Sequence, residues 1–203
     1  MGHVLEFPAE PRNVKSEPTS KRTRRDYPTP EEMAQFLRAA KQGRHGIRDY
    51  AMMLMCYRHG LRASELTEMR LEQIDLKSAH FACERKKGSL DTQQPIEGDE
   101  SRAIRAWLRV REAHPYRHTN RVFLSERGPF TRQAVNYLVA QIGRRASLIV
   151  HVHPHMLRHS CGFALANKGL DTRLVQDWLG HQNIQHTVRY TKTAAKRFER
   201  VWR

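Results

Sequence analysis

The sequence predicts a mainly α-helical fold carrying one small antiparallel β-sheet, an α+β arrangement with the helices dominant. Apolar residues recur at three- and four-residue intervals along most of the chain. Two-residue alternation is confined to one stretch, Ala79 to Arg85, which a polar turn around Gly88-Ser89 joins to Thr92–Ile96. Helix-capping signals stand where the helical periods begin.

Residues 1–25 have prolines at 8, 11 and 18, few aliphatic side chains and the cluster Lys21-Arg22-Thr23-Arg24-Arg25. They have no period and read as a flexible basic arm. Ordered structure is expected from Thr29-Pro30-Glu31-Glu32: an N-cap, a proline at the first helical position and a glutamate completing a capping box. Met33, Phe36, Leu37 and Ala40 follow at helical spacing. A second helix runs from about Ile47 to Arg58 through the apolar Ala51–Tyr57, Gly60 ends it, and a short helix starts near Ala63. After the hairpin, everything beyond Asp99 reads as helix, over about 100–113, 131–146, 155–168, 171–179 and 184–190. A last helix near 193–202 presents Phe198, Val201 and Trp202 on one face.

At 203 residues the chain fits one domain plus an appendage, and a chain of this length buries about 70% of its unfolded surface. Cys56, Cys83 and Cys161 are odd in number and widely spaced, with no C-x-x-C, which points to a reducing compartment. No apolar run approaches the roughly 20 residues of a membrane span, and no secretory core follows Met1. The expectation is a cytoplasmic protein with no membrane partner. The formal net charge is +15. Six Lys/Arg against three Glu in residues 1–25 account for only +3, and residues 144–203 hold eleven basic against three acidic residues. A body this basic is suited to gripping a polyanion through phosphate contacts and counterion release.

The residues able to do chemistry on such a partner are concentrated from His155 to Thr191, in HMLRH and then WLGHQNIQHTVRYT. His155 and Arg158 fall one helical turn apart, and Pro154 marks the helix start, where backbone N–H groups favour a phosphate. His181 follows Gly180, and Tyr190 comes nine residues later. Upstream, HGLRASEL supplies Arg62 and ERKKG supplies Lys86 and Lys87. Two arginines, two histidines, a lysine and a tyrosine suit attack on a phosphodiester by a tyrosine hydroxyl. Metal-free cleavage needs a nucleophile, neutralisation of the transition-state charge and a proton for the leaving oxygen. Arginine suits the second task because its planar fork grips two phosphate oxygens and never deprotonates. A phenol, with a pKa near 10, needs cations close by to attack at neutral pH.

HGLRASEL, HPHMLRHSCGFALAN and DTRLVQDWLGHQNIQHTVRYT together resemble the tyrosine recombinases, the phage integrase family, and most of all the small bacterial recombinases that invert fimbrial promoters. The resemblance implies a catalytic domain over residues 26–203 and the catalytic set Arg62, Lys87, His155, Arg158, His181 and Tyr190, with Tyr190 as nucleophile. Glu65, three residues beyond Arg62, would orient its guanidinium. The family's lysine precedes a glycine in the hairpin turn, which favours Lys87 over Lys86 as the general acid. His181 would bond a non-bridging oxygen or help with the tyrosine's proton. DNA contacts are expected from Lys21, Arg22, Arg24, Arg25 and Lys86. Neither cofactor nor ATP is needed, since a 3′-phosphotyrosine conserves the phosphodiester's energy. The implied partners are double-stranded DNA with inverted-repeat sites, a homotetramer assembled on it, and accessory DNA-bending proteins, all at the bacterial nucleoid. Only about 25 residues precede the resemblance, so no separate core-binding domain is expected. The segment 191–203, with its Phe198/Val201/Trp202 stripe, either docks on a neighbouring subunit or folds back on its own domain.

Two other functions compete. A type IB topoisomerase uses nearly the same groups but relaxes most plasmids, whereas a recombinase cuts only at its repeats. A non-catalytic DNA-binding regulator would keep full function after Tyr190→Phe. A zinc site at His151, His153, His155 and His159 is set aside because Pro154 interrupts the run and no cysteine lies at matching spacing.

Overall fold

The computed structural model describes residues 25–85 and 91–192. The first helix, α1 (Pro30–Lys41), starts in the expected capping box: the Glu32 N–H donates to Thr29 Oγ1 at 3.2 Å, and the Thr29 N–H donates to Glu32 Oε2 at 2.8 Å. Helix α2 (Gly46–Arg58) is the central element, with Ala51 to Cys56 all buried, and it packs against α1 and against two later helices, α4 (Gly98–Glu112) and α6 (Pro154–Asn167). Gly60 stops α2 at a φ of +57°, a left-handed conformation open to glycine at little cost. The chain then turns into the short α3 (Ala63–Glu68).

The sheet has three strands rather than the expected two. β2 (His80–Cys83) and β3 (Thr92–Pro95) form the anticipated hairpin, in which Phe81 pairs with Gln94 and Cys83 with Thr92. β1 (Ile74–Asp75) adds an antiparallel edge on the other side of β2, pairing Ile74 with Phe81. Two residues are too few to alternate, so β1 left no periodic signal. For the same reason the helical reading beyond Asp99 missed a second hairpin, β4 (Leu124–Ser125) with β5 (Gly128–Pro129), which closes at Gly128 with a φ of +105°. Helices α5 (Arg132–Arg145), α7 (Thr172–Leu179) and α8 (Gln185–Lys192) complete the order.

The main apolar core lies among α1, α2, α4, α5 and the sheet. A second cluster of buried residues, Cys161, Ala166, Val175, Leu179 and Tyr190, joins α6, α7 and α8. Burial pushes the Cys161 thiol up to about 12, so it packs as an apolar group. No described helix is long and apolar enough to cross a membrane.

Candidate active site

Arg62 is the N-cap of α3, in extended backbone. Its backbone N–H donates to Glu65 Oε2 at 2.8 Å, and its Nη1 lies 2.5 Å from Glu65 Oε1. The same carboxylate receives a second guanidinium, Arg85 Nη1 at 2.9 Å. Burial works against the Glu65 charge, but Arg85 and Arg62 outweigh it and hold the carboxyl below the usual glutamate range.

Arg85 was not singled out in the sequence, where it stands inside Glu84-Arg85-Lys86-Lys87 like any turn cation. Its side chain is 0% exposed. Besides Glu65 it donates to the carbonyls of His59 at 2.8 Å, Gly60 at 3.4 Å and Trp178 at 2.5 Å, tying the end of β2 to the Arg62 loop and to α7. Gly180 makes room for it. At φ +63° that glycine caps α7, and a Cβ there would stand 2.8 Å from Arg85 Cγ. The one sequence-level signal for Arg85 is that it directly precedes the two candidate lysines.

Arg158, on α6, is 2% exposed. Its two Nη atoms donate to Gly60 O and Leu179 O, each at 2.5 Å, which fixes the plane of the fork. Burial, reinforced by Arg85 and Arg62, lowers its pKa to about 10, still cationic at neutral pH. His155, one turn earlier, is exposed; burial of part of the ring and then Arg158, His153, Arg189 and Arg62 keep its pKa below the ordinary histidine value. His155 and Arg62 line one cleft of about 710 Å³ together with Ser64, Arg132, Asn136, His151 and His153, with no acidic side chain among its lining residues. A larger cleft of about 810 Å³ sets Glu97, Asp99 and Glu100 against Arg58, Arg102 and Lys168 and includes none of the six expected catalytic residues, so its lining has no net positive charge, whereas the first is basic.

His181 is half-buried, its Nδ1 2.9 Å from Thr187 Oγ1. Burial, with Arg158 next, takes its pKa down to about 3. The rings of His181 and Tyr190 stack with centroids 6.2 Å apart. Tyr190, on α8, is 1% exposed, and its pKa is raised chiefly by that burial, against the pull of Arg189 and Arg158. Its hydroxyl lies 2.7 Å from Nδ1 of His159, another residue with no expected role. His159 is buried and its pKa falls to about 4, through burial first and His155 second.

Arg62, Glu65, His155, Arg158, His181 and Tyr190 therefore come together from three helices, α3, α6 and α8, and from the turn after α7. Lys21, Arg22, Arg24, Lys86 and Lys87, and the Phe198/Val201/Trp202 stripe, lie outside the described residues. Arg25 is paired with Glu32 at 2.8 Å. Among the described residues, no group of three or more His, Cys, Asp or Glu is placed to hold a metal ion.

The depressed histidines predict an acid-sensitive fold. His159 titrates near 6.5 when unfolded and about 4 when folded, so the native state binds fewer protons between those values. Its contribution to stability is complete above pH 6.5 and is lost as pH falls towards 4, at about 1 kcal/mol per pH unit. His181 acts in the same direction. Urea midpoints measured from pH 7.5 to 4.5 should fall steadily, and a flat profile would contradict neutral, buried imidazoles.

The phage integrase family matches residues 27–197. This chain belongs to that family. Its members, the tyrosine recombinases, break and rejoin DNA strands. The type 1 fimbriae regulatory protein FimB of Escherichia coli K12 is 44% identical over 180 residues, covering 88% of this chain and 90% of FimB. FimE of the same strain is 40% identical over 182 residues, covering 89% and 92%. Tyrosine recombinase XerC of Staphylococcus haemolyticus is 34% identical over 176 residues, covering 85% of this chain and 58% of XerC. Among solved structures, XerA recombinase superposes with a TM-score of 0.74 at 25% identity, covering 81% of this chain and 59% of XerA. The chain thus spans little more than half the length of those Xer proteins but nine-tenths of the fimbrial regulators.

Proposed function

We propose that this tyrosine recombinase is a site-specific invertase: it cuts and rejoins double-stranded DNA through a 3′-phosphotyrosine on Tyr190 and turns over a promoter element that controls fimbrial phase variation. The observation that carries the reading is the meeting of Arg62, His155 and Arg158 beside an acid-free cleft, with Tyr190 and His181 stacked next to them. Similarity to two fimbriae regulatory proteins of matching length supports the inversion outcome, and similarity of fold to the recombinase XerH bound to its palindromic site is consistent with a duplex DNA partner.

In this scheme Arg62 and Arg158 hold the non-bridging oxygens of the scissile phosphate, and Glu65 and the backbone carbonyls keep the two forks in place. The Tyr190 oxygen bonds to phosphorus, the 5′ oxygen leaves, and Lys87 supplies its proton. His155 and His181, both neutral at pH 7, hydrogen-bond the phosphate or pass on the tyrosine's proton. The 5′ hydroxyl of the partner strand then reverses the step, four chains acting on two inverted repeats with the help of DNA-bending proteins. In this reading residues 1–25 are the basic arm and 26–203 the catalytic domain, whose last segment, 191–203, either docks on a neighbouring subunit or folds back on its own domain.

The test is direct. The wild-type chain is expressed in a bacterial host, denatured rapidly, and the DNA ends linked to it are sequenced. Links at paired inverted repeats support inversion. Links scattered over the genome favour a topoisomerase, and DNA binding without links favours a regulator. A second prediction concerns the arm. Deleting residues 1–25 removes Lys21, Arg22, Arg24 and Arg25, so the slope of log affinity against log salt should flatten by about 3 to 4, at roughly 0.9 for each phosphate that these side chains neutralise. An unchanged slope would show that the arm does not touch the backbone.

A further inference from the structure

His181 is held at two levels. Its backbone is clamped by the buried Gln176, whose Nε2 donates to His181 O at 2.8 Å while the His181 N–H donates to Gln176 O at 3.0 Å. Its ring is held by Thr187 on α8, whose Oγ1 lies 2.9 Å from Nδ1. Burial keeps the imidazole neutral at pH 7, so one ring nitrogen carries a proton and the other a lone pair. Thr187 decides which. It is 0% exposed, and among the described residues His181 Nδ1 is the sole hydrogen-bond partner of its hydroxyl. A threonine inside a helix can turn its hydroxyl proton back to a carbonyl one turn earlier. Thr67 does so to Ser64 O at 3.1 Å and Thr191 to Val188 O at 3.4 Å, and among the described residues Thr187 has no such acceptor. Were Nδ1 the donor, the Thr187 O–H would be left without an acceptor in a place closed to water, which is the costly arrangement. With the hydroxyl donating to Nδ1, every proton of the pair is used and the imidazole proton stands on Nε2. That nitrogen has no hydrogen-bond partner among the described residues.

Resting on the reading of His181 as a catalytic residue, we propose that Thr187 is a positioning residue: its hydroxyl donates to His181 Nδ1, fixes the ring and keeps the proton on Nε2, so that His181 meets the scissile phosphate as a hydrogen-bond donor and does not serve the phenol as a base. The hydrogen bond made by one ring nitrogen of a histidine sets what the other can do. An N–H at Nε2 can bond a non-bridging oxygen as negative charge builds on it in the transition state. Taking the Tyr190 proton would need a lone pair at Nε2, and this tautomer has none there. Its lone pair is on Nδ1, where Thr187 occupies it, so the phenolic proton leaves by another group. The six residues from His181 to Thr187 span the turn between α7 and α8, which puts the ring and the group that orients it on one short stretch of chain.

The test reads the tautomer and the reaction rate separately, in wild type, in Thr187→Val, which keeps the shape and removes the hydroxyl, and in Thr187→Ser, which restores it. Long-range proton–nitrogen correlation NMR of the DNA-free protein at pH 7, with the His181 signals identified by their loss in His181→Gln, tells a protonated ring nitrogen from one bearing a lone pair. Wild type and Thr187→Ser should show a protonated Nε2 and a hydrogen-bonded, unprotonated Nδ1. In Thr187→Val the Nδ1 signal should move to that of a nitrogen without a donor, or the two tautomers should mix. The rate of covalent linkage to the DNA fragments captured by wild type should fall about five- to tenfold in Thr187→Val at unchanged DNA affinity, the change expected when one buried hydrogen bond is lost, and Thr187→Ser should recover most of it. A protonated Nδ1 in wild type overturns the inference, as does a Thr187→Val protein with wild-type spectrum and rate. So does a deficit that Thr187→Ser leaves in place, which would make Thr187 a packing residue. If Thr187→Val does not fold, the wild-type spectrum decides alone: a hydrogen-bonded, unprotonated Nδ1 upholds the inference, and a protonated or free one overturns it. Should wild type form no covalent link with any DNA, the reading of His181 as catalytic fails, while the spectra still decide whether Thr187 holds the ring.

Discussion

Tyr190→Phe should reduce covalent capture of DNA by a factor of roughly 10⁴ or more, the scale on which loss of a covalent nucleophile acts, while leaving DNA affinity and its salt dependence unchanged. The substitution removes a single oxygen from a side chain that is already packed. The ring keeps its packing against Gly162, Phe163 and His181, so the second apolar cluster survives. What changes is the partner of His159 Nδ1, a difference of about 1 kcal/mol in stability. A large effect on cleavage therefore stands beside a small one on folding, and a urea titration of the same preparation separates them. Capture retained at the wild-type rate would mean that another group attacks the phosphate and that Tyr190 is a core tyrosine.

The second large effect belongs to a residue that touches no phosphate in the proposed scheme. Arg85→Met should cost about 3–5 kcal/mol, the range for removing one partner of a buried ion pair. It leaves the Glu65 carboxylate with Arg62 as its remaining ion-pair partner and takes a donor from the carbonyls of His59, Gly60 and Trp178. Against a typical domain stability of about 5–15 kcal/mol, that is at least about a fifth of the total. Chemical denaturation reads it directly. Arg85→Lys keeps the charge but replaces a fork by a point, and one ammonium cannot span Glu65 and carbonyls on two further segments. It should recover less than half of the deficit. A cost below about 1 kcal/mol for Arg85→Met would show that the ion pair is offset by its own desolvation and does not hold the site together.

Arg85 and Arg62 show why part of this site could be read in advance and part could not. Arg62, His155, Arg158, His181 and Tyr190 sit in phrases whose spacing follows helix geometry: one turn from His155 to Arg158, a glycine cap before His181, a helix bearing Tyr190. Spacing within a helix is local, so it survives in the sequence. Arg85 instead acquires its partners across separations of 20, 25, 26 and 93 residues, and nothing in Glu84-Arg85-Lys86-Lys87 distinguishes the buried cation from exposed ones. The strands tell the same story. The hairpin of His80–Cys83 with Thr92–Pro95 is long enough to alternate, while β1 and the β4–β5 pair, at two residues per strand, exist only because a neighbour offers them hydrogen bonds.

From the chain alone came the helical class, the capping box at Thr29, the small sheet, the affinity for a polyanion and the residues suited to phosphodiester chemistry, because period, capping and charge are properties of neighbours in sequence. The tertiary structure decided which cation is buried, which cleft is free of acid and that Tyr190 faces His159 rather than solvent. Those outcomes depend on burial, and burial is set by segments far apart in the chain that meet only once the core has closed.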